Sequence, residues 1–275
     1  MRTKQRDSRL HAHLPRLAQA VASTAARALL LLACILSLAA TGFARTESFS
    51  QVYPLPAGGS FLLENVNGSV QVEGWARDEV QVEAVKTSAS DAQDLERVMI
   101  EVESQPGKVS VHTRYPKGDG GEVAVEYHVH VPYRVLLGSI GTVNGSVLVR
   151  GVEGSGALKS VNGNVEVLNS SGRFSAKTTN GDLHLELRKL LDEGGPMNIE
   201  TVNGSVVLGL PSDAHANLDV TSMNGDFTSD LPMTSTGSIQ ATRAYRAKLG
   251  PGGGEISVRT VNGAIRLVMQ RPGGV

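Results

Sequence analysis

The chain has 275 residues, 26 of them basic and 27 acidic, so its formal net charge is −1. This length can bury a core in one or two domains, and the charge balance argues against nucleic acid as a partner. The single cysteine excludes a disulfide framework and a multi-cysteine metal site. Frequent glycine (31 residues) and scarce aromatic residues (4%) favour many turns around an aliphatic core.

Residues 1–44 are predicted to be a secretory signal peptide. A basic head precedes an apolar run that ends at Phe43, and Gly42 and Ala44 occupy the small-residue positions of a signal peptidase site. Cleavage would export the chain to the periplasm, cell surface or medium. An uncleaved inner-membrane anchor over residues 28–44 is the alternative, although a membrane span needs about 20 apolar residues. The apolar run continues past Cys34, which argues against lipidation there.

Cleavage would change the charge balance of the protein. Without residues 1–44 the chain keeps 20 basic and 26 acidic residues. This excess of acidic residues argues against both nucleic acid and an anionic membrane surface as partners. We therefore expect membrane contact only through an uncleaved N-terminus.

Residues 45–140 are predicted to be the less regular, β-rich N-terminal part of the repeat domain. Alternation of apolar and polar residues predicts strands over residues 60–72, 79–85, 98–103, 108–114 and 122–131.

Residues 141–270 contain a repeat of nine residues. Asn144, Asn162 and Asn180, each followed by glycine, are 18 residues apart, and Gly154 and Gly172 fall halfway between them. In nines, the chain from residue 142 reads TVNGSVLVR, GVEGSGALK, SVNGNVEVL, NSSGRFSAK and TTNGDLHLE. The sixth and eighth positions are mainly apolar, and the fifth and seventh are mainly small, polar or charged. Each nine therefore predicts a corner plus a short strand with one buried face.

We predict an all-β fold, a β-solenoid or β-helix-like stack with about 18 residues per turn in two nine-residue halves. Asparagine occupies alternate nines, as expected if the two sides of a coil have different corners. An antiparallel β meander is the alternative, because Asn-Gly is also a strong hairpin signal. Residues 271–275 are predicted to be a frayed tail.

The Asn-Gly pairs are assigned to structural turns, because both residue types tolerate positive φ. In a solenoid their side chains could also stack as a ladder. The pairs are Asn67-Gly68, Asn144-Gly145, Asn162-Gly163, Asn180-Gly181, Asn203-Gly204, Asn224-Gly225 and Asn262-Gly263.

The histidines are the candidate metal ligands. His128 and His130 are two residues apart on a predicted strand, so both lie on one face. His112 lies on the polar face of a strand that we expect to be a neighbour. Three imidazoles on one surface could bind zinc or copper. Three solvated histidines are the simpler interpretation, and we predict no resident metal and no cofactor.

No catalytic residue is assigned, because no nucleophile elbow or phosphate-binding loop is present. Asp182 and Asp226 share the fifth position of their repeats, and a polysaccharide-acting solenoid enzyme would use such carboxylates. We interpret them as polar corner residues. A calcium β-roll needs an aspartate in every nine, which this chain lacks. Trp75 is predicted to cap the core from a turn, with carbohydrate stacking as the alternative.

Three features, in this order, resemble a known family. They are Val-Glu-Gly-Trp-Ala-Arg-Asp-Glu-Val-Gln-Val at 72–82, Val-Pro at 131–132, and repeated Val-Asn-Gly-Ser-Val units. Together with the leader, they resemble the bacterial putative-adhesin family of exported domains of unknown function, over most of residues 50–270. The resemblance implies a right-handed β-solenoid-like fold and a cell-envelope location, and it supplies no catalytic residue.

We therefore predict a non-catalytic, exported cell-envelope protein, an adhesin-like module that presents a repetitive β surface to an envelope or surface protein or glycan. The predicted contact surface comprises the outward residues Ser146, Asn164, Arg150, Lys159, Lys177 and Glu186. A membrane-anchored envelope-stress sensor or scaffold, and a polysaccharide-acting enzyme, are the alternatives.

Overall fold

The computed structural model describes residues 45–89, 92–116, 123–191, 195–239 and 244–270. The predicted signal peptide with Cys34, the alternative anchor and the predicted tail at 271–275 lie outside these residues. The described residues belong to one compact unit, Ala44–Val275. They form twenty strands and one short helix, α1 (Ala92–Arg97), so the predicted all-β class is confirmed.

The strands form one continuous sheet that wraps around a single core. We call the two opposite walls of this solenoid the first face and the second face. The first face contains, in spatial order, β1 (Arg45–Pro54), β4 (Glu79–Ser88), β7 (Val123–Pro132), β3 (Val70–Trp75), β9 (Val147–Arg150), the first part of β11 (Val165–Lys177), β12 (Leu183–Lys189), β14 (Val206–Pro211), β20 (Ile265–Gln270) and β16 (Phe227–Ser229).

The second face lies on the other side of the core. It contains, in spatial order, β5 (Met99–Gln105), β6 (Lys108–Arg114), β2 (Ser60–Glu64), β8 (Arg134–Gly141), β10 (Glu153–Lys159), the second part of β11, β13 (Met197–Asn203), β19 (Glu255–Asn262), β15 (Ala216–Asn224), β18 (Ala244–Leu249) and β17 (Met233–Ile239).

Each repeated coil consists of a second-face strand, an Asn-Gly corner and a first-face strand. Asn144, Asn162 and Asn180 bridge in parallel, so 18 residues complete one turn. β9 pairs with β11, and β11 with β12, also in parallel. The predicted β-solenoid is therefore confirmed. The meander is wrong for the repeats, because a meander pairs successive strands antiparallel.

The strand predicted over residues 60–72 is two strands. Asn67-Gly68 forms a corner between β2 and β3, and Asn67 bridges to Asn144 in parallel. The corner chemistry of the later repeats applies here as well, so the chain turns between the faces instead of continuing straight. The region predicted as less regular thus contains a coil in register with the repeats.

The final coils do not stack in chain order. β19 and β20 lie between the coil of β13 and β14 and the coil of β15 and β16. The last coil in sequence is therefore inserted into the stack, and the preceding coil occupies the end.

Antiparallel strands cover the ends of the solenoid. β4 pairs with β7 and β1 with β4 at one end of the first face, and β5 pairs with β6 on the second face. At the other end, β18 pairs with β15 and β17 with β18. Such flanking strands separate the regular parallel stack from open edges that would template pairing with other chains.

Aliphatic columns fill the core because every second strand residue points inward. Val147, Val165, Leu183, Val206 and Ile265 are in register on successive coils and are fully buried. No coil can bury its apolar face alone, so stacking stabilises all of them. Within the described ranges, no helix is long and apolar enough to span a membrane.

Candidate functional site

The Asn-Gly corners stack along one side of the solenoid, which we name the asparagine edge. Each asparagine after the first donates through Nδ2 to the Oδ1 of the asparagine before it in the stack, at 2.7–2.9 Å. The five interior amides each leave one N–H and one lone pair unused within the ladder. The ladder runs in the order Asn67, Asn144, Asn162, Asn180, Asn203, Asn262 and Asn224.

The glycines of these corners are required by the close approach of neighbouring coils. A Cβ on Gly163 would lie 2.1 Å from the carbonyl oxygen of Gly145, and a Cβ on Gly204 would lie 1.9 Å from that of Gly181. Gly204 does not have a positive φ. Turn conformation therefore does not explain the glycine at this corner, whereas the stacked backbone leaves no room for a side chain.

A row of buried hydroxyl groups, absent from the sequence prediction, lies two residues before the asparagines. Thr178 Oγ1 donates to the carbonyl of Gly163 at 2.9 Å, and Thr260 Oγ1 donates to that of Gly204 at 2.9 Å. The signal was the recurring Ser/Thr-x-Asn-Gly pattern. The row comprises Thr142, Ser160, Thr178, Thr201, Ser222 and Thr260, and Asn65 takes the same place in the first coil.

The residues after each glycine connect the coils by a second set of bonds. Asn164 Oδ1 accepts from the backbone N–H of Asp182 at 2.9 Å, and Asp182 Oδ1 accepts from that of Ser205 at 2.7 Å. Asp226 occupies this position three coils beyond Asp182. Coil spacing puts about 14 Å between their backbones, beyond the roughly 5–9.5 Å that a glycosidase carboxylate pair needs.

An apolar row lies on the solvent side of the asparagine edge, at the position before each asparagine. Val161 and Val202 are each 40% exposed, and Met223 is 62% exposed. Six coil spacings make the row about 29 Å long. It comprises Val66, Val143, Val161, Thr179, Val202, Val261 and Met223, in spatial order, and we name it the aliphatic row.

The predicted contact residues do not form one patch. Ser146 and Asn164 lie at the asparagine edge, whereas Arg150 and Glu186 lie on first-face strands. Lys159 and Lys177 lie on the second face, in register with each other. The sequence columns belong to different sides of the coil, because the chain turns within each repeat.

A second polar cluster lies on the outer side of the first face. His128 and His130 on β7 are joined by Glu73 from the parallel neighbour β3. Glu73 Oε2 is 3.7 Å from His128 Nε2 and 3.9 Å from His130 Nε2. Glu83 on β4 places its Oε2 3.8 Å from His128 Nδ1. Glu73 was not predicted, because the pairing of β3 with β7 joins residues distant in sequence.

His112 does not join this cluster. It lies on β6 in the second face, where its Nδ1 is 3.3 Å from Glu64 Oε2. β6 and β7 follow each other in sequence but belong to different faces, so the expectation of three imidazoles on one surface is wrong.

Trp75 ends β3 beside this cluster. Its ring stacks on His130, with centroids 5.0 Å apart, and Arg77 lies 4.6 Å above the Trp75 ring. The indole N–H donates to the Glu79 carbonyl at 2.8 Å. The indole is thus held against the histidine cluster instead of capping the core.

Comparisons with known proteins identify related chains. A family model described as Toastrack DUF4097 matches residues 60–268, which confirms the predicted resemblance. A putative cell adhesion protein from Clostridium sporogenes is 12% identical, over 82% of this chain and 100% of its own, with a TM-score of 0.45. A putative adhesin from Bacteroides fragilis is 11% identical, over 81% and 97%, with a TM-score of 0.39. A putative lipid binding protein from Parabacteroides distasonis is 9% identical, over 80% and 96%, with a TM-score of 0.31. A search of curated proteins finds no match.

Proposed function

The chain belongs to the Toastrack DUF4097 family, and we propose that it is a non-catalytic, exported cell-envelope protein that binds an envelope or surface protein or glycan along its asparagine edge. Binding is the function, and the solenoid is the rigid support. Nucleic acid is not a partner in this proposal.

The observation that carries the proposal is the aliphatic row beside the amide ladder. Single exposed apolar residues are normal on soluble proteins. Here the exposed side chains of Val143, Val161 and Val202 lie along one line, with Thr179 between Val161 and Val202. An exposed, mainly apolar strip flanked by polar groups is typical of an interaction site. The strip is also preorganised, because the ladder and the stacked backbone fix its geometry. Little conformational entropy would therefore be lost on binding.

Two further features support parts of the proposal. The features of residues 1–44 favour export. The separation of Asp182 from Asp226, and the bond from the Ser205 N–H to Asp182, favour a structural role for these aspartates. The predicted sensor or scaffold remains the alternative, and an intact N-terminus in the inner membrane would favour it.

The proposal is tested by placing charges on the aliphatic row. The full chain is expressed, purified from the cell envelope or medium, and assayed on two immobilised probes, peptidoglycan sacculi and detergent-solubilised envelope proteins. We expect wild type to bind one probe. We expect the V161K/V202E variant to bind it at least about tenfold more weakly, because each charge must be desolvated at the interface.

The matched control is V52E/L136K, which changes side chains of similar exposure (52% and 48%) on β1 and β8. It should bind as wild type does. Equal binding by all three proteins would place the contact elsewhere. Absence of binding to both probes would contradict the proposed function.

A further inference from the structure

We propose that Glu73, His128 and His130 form a binding site for a divalent late first-row transition metal ion, with zinc as the reference ion. The site lies on the outer side of the first face, apart from the asparagine edge, so it does not depend on the proposed function. One ligand atom of each residue lies within 4.8 Å of the others.

The strand geometry creates this cluster. His128 and His130 are alternate residues of β7, so their side chains leave the same side of the sheet. The parallel register places Glu73 of β3 directly beside His130. Both imidazoles approach the same carboxylate oxygen through Nε2, at 3.7 and 3.9 Å. The three ligands therefore surround one point at the protein surface.

The two distances from the Glu73 oxygen to the imidazoles are close to those in a four-coordinate site. Metal–ligand bonds of about 2.0–2.1 Å imply ligand atoms about 3.4 Å apart in a tetrahedron. Two imidazoles and one carboxylate form a donor set used by zinc and by iron, copper or nickel. Calcium and magnesium prefer oxygen ligands, and two of the three donors here are nitrogen.

Neighbouring side chains already orient the ligands. Gln71 Nε2 donates to Glu73 Oε1 at 3.1 Å, which leaves Oε2 facing the imidazoles. Gln81 Nε2 donates to Glu83 Oε1 at 2.8 Å, which leaves Glu83 Oε2 facing His128 Nδ1. Metal-bound histidines usually donate their other N–H to a carboxylate. Glu83 is placed to accept that bond from His128.

Neither ring nitrogen of His130 has a hydrogen-bond partner in the described part of the chain. Its Nε2 stays 3.9 Å from Glu73 Oε2, and its buried Nδ1, which would carry the proton when Nε2 binds an ion, has no acceptor among the described residues. Trp75 holds the ring by stacking. A cation at the centre of the cluster would give Nε2 a direct partner.

The charges around the cluster favour a cation on balance. Glu73 and Glu83 contribute two carboxylates, and Glu126 lies two residues before His128 on β7. Two cations oppose them. Arg150 is the register neighbour of Glu73 on β9 without forming an ion pair within 4.0 Å, and Arg77 lies over Trp75.

The test is calorimetric titration of the purified, tag-free protein from the full chain with zinc chloride, after removal of bound metal by a chelator. We expect one zinc ion per chain. We expect E73Q and H130Q each to weaken binding at least about tenfold, and E83Q to weaken it by about 10–100-fold as an orienting residue. Cobalt should give the visible absorption spectrum of tetrahedral coordination in wild type and lose it in E73Q.

The matched control is H184Q. His184 on β12 is about as exposed as His128 (39% and 41%), and its Nε2 lies 3.0 Å from Glu186 Oε1, outside the cluster. H184Q should bind zinc as wild type does. Thermal unfolding in the presence of a chelator checks that every variant is folded. Absence of stoichiometric zinc binding by wild type, or equal affinity in folded E73Q and H130Q, would overturn the proposal.

Discussion

Single buried hydroxyl groups hold the solenoid corners together. Thr178 Oγ1 is buried and donates to Gly163 O, so it connects one coil to the backbone of its neighbour. Thr179, the next residue, faces outward in the aliphatic row, where most other coils have valine. Thr178 therefore connects two coils, whereas Thr179 faces outward. Substitutions at these two positions should differ in their effect on stability.

We expect Thr178→Val to lower the free energy of unfolding by about 1–3 kcal/mol, because the substitution keeps the shape and leaves a buried carbonyl without its donor. Thr179→Val is the control and should change stability by less than about 0.5 kcal/mol. Urea unfolding monitored by circular dichroism measures both. Equal effects at the two positions would contradict the assigned role of the hydroxyl row.

Tyr127 links the two faces through the core. Its hydroxyl lies 2.7 Å from Thr113 Oγ1, and burial raises the pKa of Tyr127 far above its ordinary value, partly offset by the bond to Thr113. An unfolded tyrosine loses its proton near pH 10. Above that pH the folded state binds more protons than the unfolded state, so stability falls as pH rises.

We expect wild-type stability to decline above about pH 10 with a contribution of up to about 1.4 kcal/mol per pH unit from Tyr127. Tyr127→Phe removes this contribution, so its stability should decline less steeply although it is lower at neutral pH. The measurement is urea unfolding at a series of alkaline pH values. Tyr133→Phe, at an exposed site, should keep the wild-type slope, and an identical slope in Tyr127→Phe would refute the assignment.

At the scale of the element, the corner is a stacked unit and not a hairpin. Hairpin turns use Asn-Gly for positive φ, whereas Gly181 and Gly204 are not at positive φ. The close carbonyl of the next coil excludes a side chain at both. Asn-Gly therefore forms a solenoid corner here and not a hairpin turn. The corner differs from the hairpin turn because the neighbouring coil leaves room only for glycine.

We expect Gly163→Ala to destabilise the protein by about 3 kcal/mol or more, because its Cβ would lie 2.1 Å from Gly145 O and overpack the stack. Gly141→Ala is the control, since its Cβ would meet Lys159 O at an ordinary 3.6 Å. Chemical unfolding compares the two. A tolerated alanine at Gly163 would show that the coils can separate at the corner.

At the scale of the whole molecule, the inserted final coil joins the end of the solenoid to its body. β19 lies between β13 and β15, and β20 lies between β14 and β16. A solenoid built in chain order would lose only its end on truncation. Here the coil at the end of the stack, β15 and β16, also depends on β19 and β20, which come later in sequence.

We expect a chain truncated after Pro251, which lacks β19 and β20, to lose amide protection in β15 and β18 as well. These strands would have no parallel neighbour connecting them to β13. β9 and β12, in the body of the stack, should stay protected. Hydrogen exchange of the full and truncated chains measures this, and wild-type protection of β15 after truncation would disprove the dependence.

Local periodicity was enough to predict most of the coil. The Asn-Gly spacing and the apolar columns predicted the solenoid, its 18-residue turn and strands close to β6 and β7. Alternation predicted one strand over 60–72 although Asn67-Gly68 within it was assigned to a turn, because the apolar–polar alternation continues on both sides of Asn67. The histidine cluster was half predicted: alternation put His128 beside His130, but Glu73 comes from a strand more than fifty residues earlier.

The local sequence pattern established which residues repeat, which face of each strand is apolar, and that short strands must stack to bury that face. These properties depend on neighbours along the chain. Three features emerged only from the folded chain: the order of the coils, the assignment of β6 and β7 to different faces, and the contact of Glu73 with His128 and His130. Coils with equivalent columns pair equally well by their local pattern, so their order depends on long-range packing that sequence period does not encode.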